Sequence, residues 1–89
     1  MNAKNTSAVF RAWLNGERAH SGGVSTDGWR VWSYDLLIAA RIGDETIVAD
    51  YTASGVHYST TTSRHVAMAQ RAAGVDKIPP AKFREMVKD

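Results

Sequence analysis

The spacing of apolar residues near the start of the chain predicts a helix. Phe10, Trp13 and Leu14 occupy positions i, i+3 and i+4, so they share one helical face, and a polar residue among 5–7 can cap the first turn. Asn15-Gly16 would end this helix, because both residues tolerate positive φ. The same dipeptide is also a strong hairpin signal. The apolar residues before it come in pairs rather than alternating, which favours the helix.

Four stretches in the middle of the chain predict β-strands. Residues 29–34 are rich in aromatic and β-branched side chains, and residues 36–42 form a continuous apolar run typical of a strand buried on both faces. Gly43-Asp44 is a tight-turn sequence, so residues 45–51 are expected to return as an antiparallel partner. After a second turn, residues 56–59 predict a short fourth strand.

The segment between the first helix and the first strand predicts a loop. Residues 20–28 are dominated by Gly, Ser and other turn-forming residues, and they end in Asp27-Gly28, a frequent turn sequence. No strand is expected within residues 20–28, and whether residues 8–16 form a helix or a hairpin is left open.

Two helices are predicted in the last third of the chain. The first spans about residues 62–73, and Gly74 follows at the position of a left-handed C-cap. The second begins at Pro79-Pro80, where proline suits the first turn, and runs toward Val87.

The order of one helix, four strands and two helices implies an α+β fold. We expect a single small domain over residues 1–89, with an antiparallel sheet of three to four strands. An N-terminal helix and two C-terminal helices would cover one face of that sheet. Residues 1–5, which precede the first helix, are expected to be disordered. A chain this short buries only about 60–65% of its unfolded surface, so its stability margin is narrow.

Cysteine is absent from the chain, which excludes disulfides, thiolate nucleophiles and cysteine-based zinc sites. The first residues lack the apolar core of a signal peptide. The longest apolar run, residues 36–40, is far too short to cross a bilayer. We therefore expect a cytoplasmic protein that has no membrane partner.

The net charge of +2 is unevenly distributed along the chain. Residues 64–89 carry six lysines and arginines against three acidic residues, whereas residues 1–63 carry five against six. A basic final third indicates an anionic partner, and nucleic acid is one such partner. Aromatic side chains of the predicted sheet can stack bases, although in so small a domain they more often fill the core. These aromatic residues are Trp29, Tyr34, Tyr51 and Tyr58.

The best candidate site is the Thr/Ser-rich run that leads into the helix predicted from residue 62. The start of this helix offers free N–H groups and the positive end of the helix dipole. Nearby hydroxyl groups, two potential cations in the first turn and an arginine seven residues later could add to them. Together these groups can hold a phosphate or carboxylate. The candidate residues are Thr61, Thr62, Ser63, Arg64, His65 and Arg71. The alternative is that one hydroxyl caps the helix and the others finish the preceding strand.

Signals for catalysis or metal binding are missing from the sequence. Ser63 and His65 are two residues apart and would not face each other on a helix, and no nucleophile elbow is present. The three histidines have no zinc-site spacing, and Gly22-Gly23 lacks the Lys-Ser/Thr of a phosphate-binding loop. We expect no enzymatic activity, no cofactor and no metal.

Two sequence phrases carry a resemblance to known proteins. The first is Ser25-Thr26-Asp27-Gly28-x-x-Val31-x-Ser33-Tyr34 followed by Ile38-Ala39, and the second is Tyr58-Ser59-x-Thr61-Thr62-Ser63-x-His65. In these phrases the chain resembles a group of small uncharacterised proteins encoded by tailed phages and prophages. The resemblance covers roughly residues 8–70 and identifies no catalytic residues, because the group has no established activity.

The resemblance implies a phage accessory context, in which small non-enzymatic proteins commonly act by binding macromolecules. We therefore expect a protein that binds a macromolecular partner in the host cytoplasm and modulates a host process. A host or phage protein complex is favoured, and inhibition of a host defence complex, in the manner of an anti-CRISPR protein, is one concrete form. The alternative is a small basic nucleic-acid-binding module that uses the helix starting near residue 62.

Overall fold

The computed structural model describes residues 5–88 and has an α+β fold. The N-terminal helix and the two C-terminal helices are confirmed, but the described residues form six strands rather than three or four. The elements are α1 (Thr6–Leu14), β1 (Ala19–Ser21), β2 (Val24–Thr26), β3 (Arg30–Ser33), β4 (Leu36–Ile42), β5 (Glu45–Ala49), α2 (Thr60–Ala73), β6 (Lys77–Ile78) and α3 (Pro80–Val87).

The six strands lie side by side in chain order. Strands β1 to β5 are antiparallel to one another, because short turns connect them. Strand β6 is parallel to β5, which is possible because α2 lies between them in the chain. The sheet is therefore mixed, with its single parallel pair at one edge.

Helix α1 starts at a side-chain cap, as the sequence predicts. The Oδ1 of Asn5 accepts a hydrogen bond from the backbone N–H of Ala8 at 3.0 Å, and Gly16 follows the helix with a φ of +73°. Asn5 thus caps the helix, and the expectation of disorder over residues 1–5 stays a prediction. Residues 1–4 of that range lie outside the described residues.

The expected loop over residues 20–28 is wrong, because most of it forms the hairpin β1–β2. Each strand has only three residues, too few to show an alternating pattern, and the turn between them contains Gly22 with a φ of +57°. The buried side chains of Ala19, Val24 and Thr26 pack beneath α1, so tertiary contacts stabilise strands that are weak in sequence.

The fourth strand expected over residues 56–59 is also wrong. These residues form an irregular segment, with Val56, His57 and Tyr58 exposed. The edge of the sheet beside β5 is occupied instead by β6, in which Lys77 pairs with Val48. Because a strand offers only two edges, residues 56–59 have no place beside β5.

Helices cover both faces of the sheet, not one. Opposed residues of antiparallel strands point to the same face, so Val31 and Ala39 lie on one side, the side that α1 and α2 cover. Ala40 and Ile47 lie on the other side, where α3 reaches over the end of β4. Strand β4 is buried on both faces at its centre, as predicted, and such a strand needs cover on both sides.

Candidate functional site: the start of helix α2

Helix α2 begins at a serine cap. The Oγ of Ser59 accepts a hydrogen bond from the N–H of Thr62 at 3.0 Å, and its carbonyl accepts one from the N–H of Ser63 at 2.9 Å. The helix therefore starts two residues earlier than predicted, at Thr60, and ends as predicted at Gly74, which has a φ of +68°. Among residues 5–88, no acceptor is found for the N–H groups of Thr60 and Thr61, so two donors are left for solvent or a ligand.

Two of the candidate residues, Thr62 and His65, face the sheet instead of solvent. The Oγ of Ser33 lies 3.0 Å from the Oγ1 of Thr62 and 2.7 Å from the Nδ1 of His65. All three residues are buried, with His65 only 8% exposed. Their hydrogen bonds tie the first turns of α2 to β3, because buried polar groups need partners. The Thr62 hydroxyl and the Nδ1 of His65 are therefore already occupied by Ser33.

The remaining candidates lie in different places. Thr61 and Arg64 are exposed on the outer side of the first turn. The Oγ of Ser63 points toward β5 and donates to the carbonyl of Tyr51 at 3.3 Å. Arg71 lies two turns further along, where it lines a groove of about 290 Å³ between α1 and α2 together with Arg11. The structure therefore does not bring the predicted six residues into one site.

Burial lowers the pKa of His65 below its ordinary value of 6.5, because desolvation penalises the charged ring. The ring is therefore neutral at pH 7, with one nitrogen as donor and the other as acceptor. Every buried side-chain nitrogen or oxygen among the described residues has a hydrogen-bond partner. The Nε2 of His65 has none within residues 5–88, so this atom is open to solvent.

Mild acid is expected to destabilise the protein through His65. As pH falls below about 6.5, the unfolded chain binds a proton that the folded chain resists, so the free energy of unfolding declines until the lowered pKa of the folded state is passed. Urea unfolding between about pH 8 and pH 5 measures how the free energy of unfolding changes with pH. Ordinary carboxyl groups titrate below this range.

A pair of histidine variants separates this effect from other titrations. His65→Asn can keep a hydrogen bond to Ser33 without a titrating ring, so its stability should change little over that pH range. His20→Asn removes an exposed histidine and should retain the slope of the unaltered protein. A full slope in His65→Asn would show that another group is responsible.

Tyr34 is held in an unusual backbone conformation at the edge of this region. It is the first residue of the two-residue loop between β3 and β4, and its φ of +56° is a value that such loops usually assign to glycine. Its N–H donates to the carbonyl of Gly23 at 2.6 Å. A left-handed non-glycine residue of this kind costs about 1–3 kcal/mol and is commonest at functional sites.

The ring of Tyr34 has two neighbours, yet 64% of the residue's surface is exposed to solvent. It lies against Gly23, where a Cβ atom would come within 2.5 Å of the ring, and its centroid is 6.2 Å from that of the His65 ring. A side chain at residue 23 would therefore displace the Tyr34 ring from its present position. The two phrases that carry the resemblance meet here, since Ser33 and Tyr34 belong to the first and His65 to the second.

A second exposed tyrosine, Tyr58, immediately precedes the residue that caps α2. Tyr58 is 63% exposed, and its ring packs edge-on against buried Tyr51 with the centroids 6.4 Å apart. Val56 is exposed nearby in the same segment. We call the exposed residues on and near the first turn of α2 the α2 rim: Tyr34, Val56, Tyr58, Thr61 and Arg64. From the sequence, Tyr34 and Tyr58 are expected only as base-stacking residues that more often fill the core, and Val56 is not expected to be part of a site, because exposure of aromatic residues depends on long-range packing.

The described residues contain neither a cluster of three His, Asp or Glu side chains that could hold a metal ion nor a helix long and apolar enough to cross a membrane.

Comparison with known proteins adds no assignment to the α2 rim. The chain matches no family model, and no curated protein or solved structure matches it.

Proposed function

We propose that this protein is a non-enzymatic binding protein whose α2 rim docks onto a protein partner. The observation that carries the proposal is Tyr34, which has an exposed ring on a left-handed, strained backbone. Tyrosine and arginine are the residues that interfaces concentrate at their energetic centres. The ring lies beside Gly23 with its centroid 6.2 Å from that of His65, so it has less conformational freedom to lose on binding than a ring without neighbours.

The charge of the rim indicates the chemistry of the partner surface. Arg64 is exposed and has no carboxylate within 4.0 Å among the described residues, and the start of α2 adds unpaired N–H groups and the positive end of a helix dipole. A partner that places an acidic side chain opposite this turn and apolar groups against the two tyrosines would complement it. The resemblance to tailed-phage proteins supports an accessory role in which this contact modulates a host process, for example by inhibiting a host defence complex.

A nucleic-acid-binding function is the second candidate. Its specific support is the groove between α1 and α2, where Arg11 and Arg71 lie together, with Arg64 on the same helix. Binding of this kind depends on phosphate contacts and therefore weakens steeply as salt rises. Binding through the tyrosines of the rim depends on apolar contact and should weaken much less.

Tyr34→Gly is expected to separate binding from stability. Glycine adopts a φ of +56° without strain, so the free energy of unfolding should not fall, whereas capture of a protein partner should fall at least about tenfold because the aromatic anchor is lost. Quantitative mass spectrometry of proteins captured from nuclease-treated bacterial lysate measures binding, and urea unfolding measures stability.

Matched arginine variants distinguish binding through the α2 rim from binding of nucleic acid. Arg64→Ala should weaken capture by the rim, whereas Arg18→Ala, at an exposed position outside it, should not. Equal capture by the unaltered protein and Tyr34→Gly would contradict the proposal. Binding that is lost after nuclease treatment and in Arg11→Ala and Arg71→Ala would support the nucleic-acid function instead.

A further inference from the structure

An open groove of about 510 Å³ lies at the end of the sheet opposite the α2 rim. Trp29 immediately precedes β3 and Tyr34 immediately follows it, so the two side chains are separated by the length of that strand, about 16 Å. The groove runs between the ends of β3 and β4 and the last turn of α3. A ligand in the groove would therefore leave the α2 rim free.

The floor and walls of the groove contain an unusual concentration of exposed apolar side chains. Trp29 is 54% exposed, and Ile42 and Met86 are also exposed, so half of the large exposed hydrophobic residues of the described chain lie here. The other half lie in the α2 rim. Exposed apolar side chains that gather in a concave surface indicate a binding site rather than scattered surface residues.

The charge of the groove is positive. Arg30, Arg41 and Lys88 line it, and none of the described lining residues is acidic. Arg30 is paired with Asp27 at 2.7 Å, so it contributes little net charge. Arg41 has no carboxylate within 4.0 Å among the described residues, and Lys88 likewise has none.

Arg41 is a fixed, half-buried cation without a counter-charge. Its Nη1 donates to the carbonyl of Leu14 at 3.1 Å and its Nη2 to that of Gly28 at 2.9 Å, while its guanidinium lies 4.8 Å from the centroid of the Trp29 ring. Carbonyl groups satisfy its hydrogen bonds but do not neutralise its charge. A charge held in this way favours an anionic group in the groove beside Trp29.

We infer that the groove binds an acidic peptide segment that carries a large apolar side chain. The apolar side chain would lie between Trp29 and Met86, and carboxylates on either side would face Arg41 and Lys88. Methionine adapts to differently shaped apolar groups, which suits a peptide-binding wall.

Single-stranded nucleic acid fits the same groove less well. Sites that bind it stack successive bases on several aromatic side chains. This groove offers one aromatic residue, Trp29, and the guanidinium of Arg41 already covers part of its ring. The other apolar residues of the lining, such as Ile42, Met86 and Val87, are aliphatic, which suits a peptide side chain better than a base.

The test uses the whole protein and a short fluorescent peptide in which Leu-Phe is flanked by aspartates and glutamates. Fluorescence anisotropy should detect binding of this peptide and at least about tenfold weaker binding of the same peptide with lysines in place of the acids. Met86→Glu and Ile42→Glu add a negative charge to the groove and should weaken binding of the acidic peptide at least about tenfold. Thermal unfolding of both variants verifies that they remain folded.

Tyr34→Gly is the matched control, because it alters the α2 rim and leaves the groove intact. It should bind the acidic peptide as the unaltered protein does, so failure of this inference and failure of the proposed function are distinguishable. Equal binding of the acidic and basic peptides, no binding of either, or binding unchanged by Met86→Glu would overturn the inference. So would tighter binding of a labelled thymidine oligonucleotide that Met86→Glu weakens, because nucleic acid would then be the ligand.

Discussion

Trp13→Ala is expected to lower the free energy of unfolding by about 3–5 kcal/mol. Trp13 is fully buried between α1 and the sheet, and its Nε1–H donates to the carbonyl of Trp29 at 2.9 Å. Removing the ring leaves a cavity, and one of the two hydrogen bonds to the Trp29 carbonyl is lost, the other being donated by the N–H of Arg41 at 2.7 Å. A domain of this length has a total stability of about 4–13 kcal/mol, so the loss is a large part of it. Urea unfolding at neutral pH measures the change.

The same substitution at an exposed tryptophan is the control. Trp29→Ala removes a side chain that is half exposed and whose ring lies 4.8 Å from the Arg41 guanidinium, so its cost should be about 1 kcal/mol or less. Trp13→Phe, which keeps most of the buried volume, should cost less than Trp13→Ala. If Trp13→Ala and Trp29→Ala were equally mild, α1 would not pack on the sheet as described.

Gly28→Ala is expected to cost about 2–4 kcal/mol, through backbone strain and overpacking together. Gly28 has a φ of +97°, and a Cβ atom there would lie 2.6 Å from the carbonyl oxygen and 2.8 Å from the carbonyl carbon of Gly16. Because the obstructing atoms belong to the backbone, no side-chain rotation relieves the clash. The N–H of Gly28 also donates to the Oγ1 of Thr26 at 3.0 Å, so a shift of the loop would break a buried hydrogen bond.

Gly22→Ala separates the cost of backbone strain from the cost of overpacking. Gly22 has a φ of +57° but nothing lies within 4 Å of a Cβ atom placed on it, so only the cost of positive φ applies, about 1 kcal/mol. Thermal or urea unfolding of both variants should therefore rank Gly28→Ala as clearly more destabilising. A cost at Gly28 no greater than at Gly22 would mean that the loop avoids Gly16 easily.

Local sequence signals were sufficient for the three helices. Asn5 and Ser59 cap α1 and α2, Gly74 ends α2 in the left-handed conformation, and Pro80 opens α3. Each of these features depends on hydrogen bonds or backbone preferences within about four residues, so a short window of sequence contains the information.

The arrangement of the sheet edges could not be predicted in the same way. Strands β1 and β6 have three and two residues, and their pairing is stabilised by packing against elements that are distant in the chain. The segment at 56–59 has strand-like residues but finds its edge position occupied by Lys77–Ile78. Competition for an edge depends on the whole topology, which local propensity does not describe.

The same distinction between local and long-range information applies to the residues around the start of α2. Its residue types, its cap and its basic character follow from neighbours in the chain. The burial of Thr62 and His65 depends on Ser33, about thirty residues away, and the exposure of Tyr34 depends on Gly23 and on the loop between β3 and β4. Helix starts are governed by short-range hydrogen bonds, whereas the accessibility of a polar or aromatic side chain is governed by partners that folding brings together.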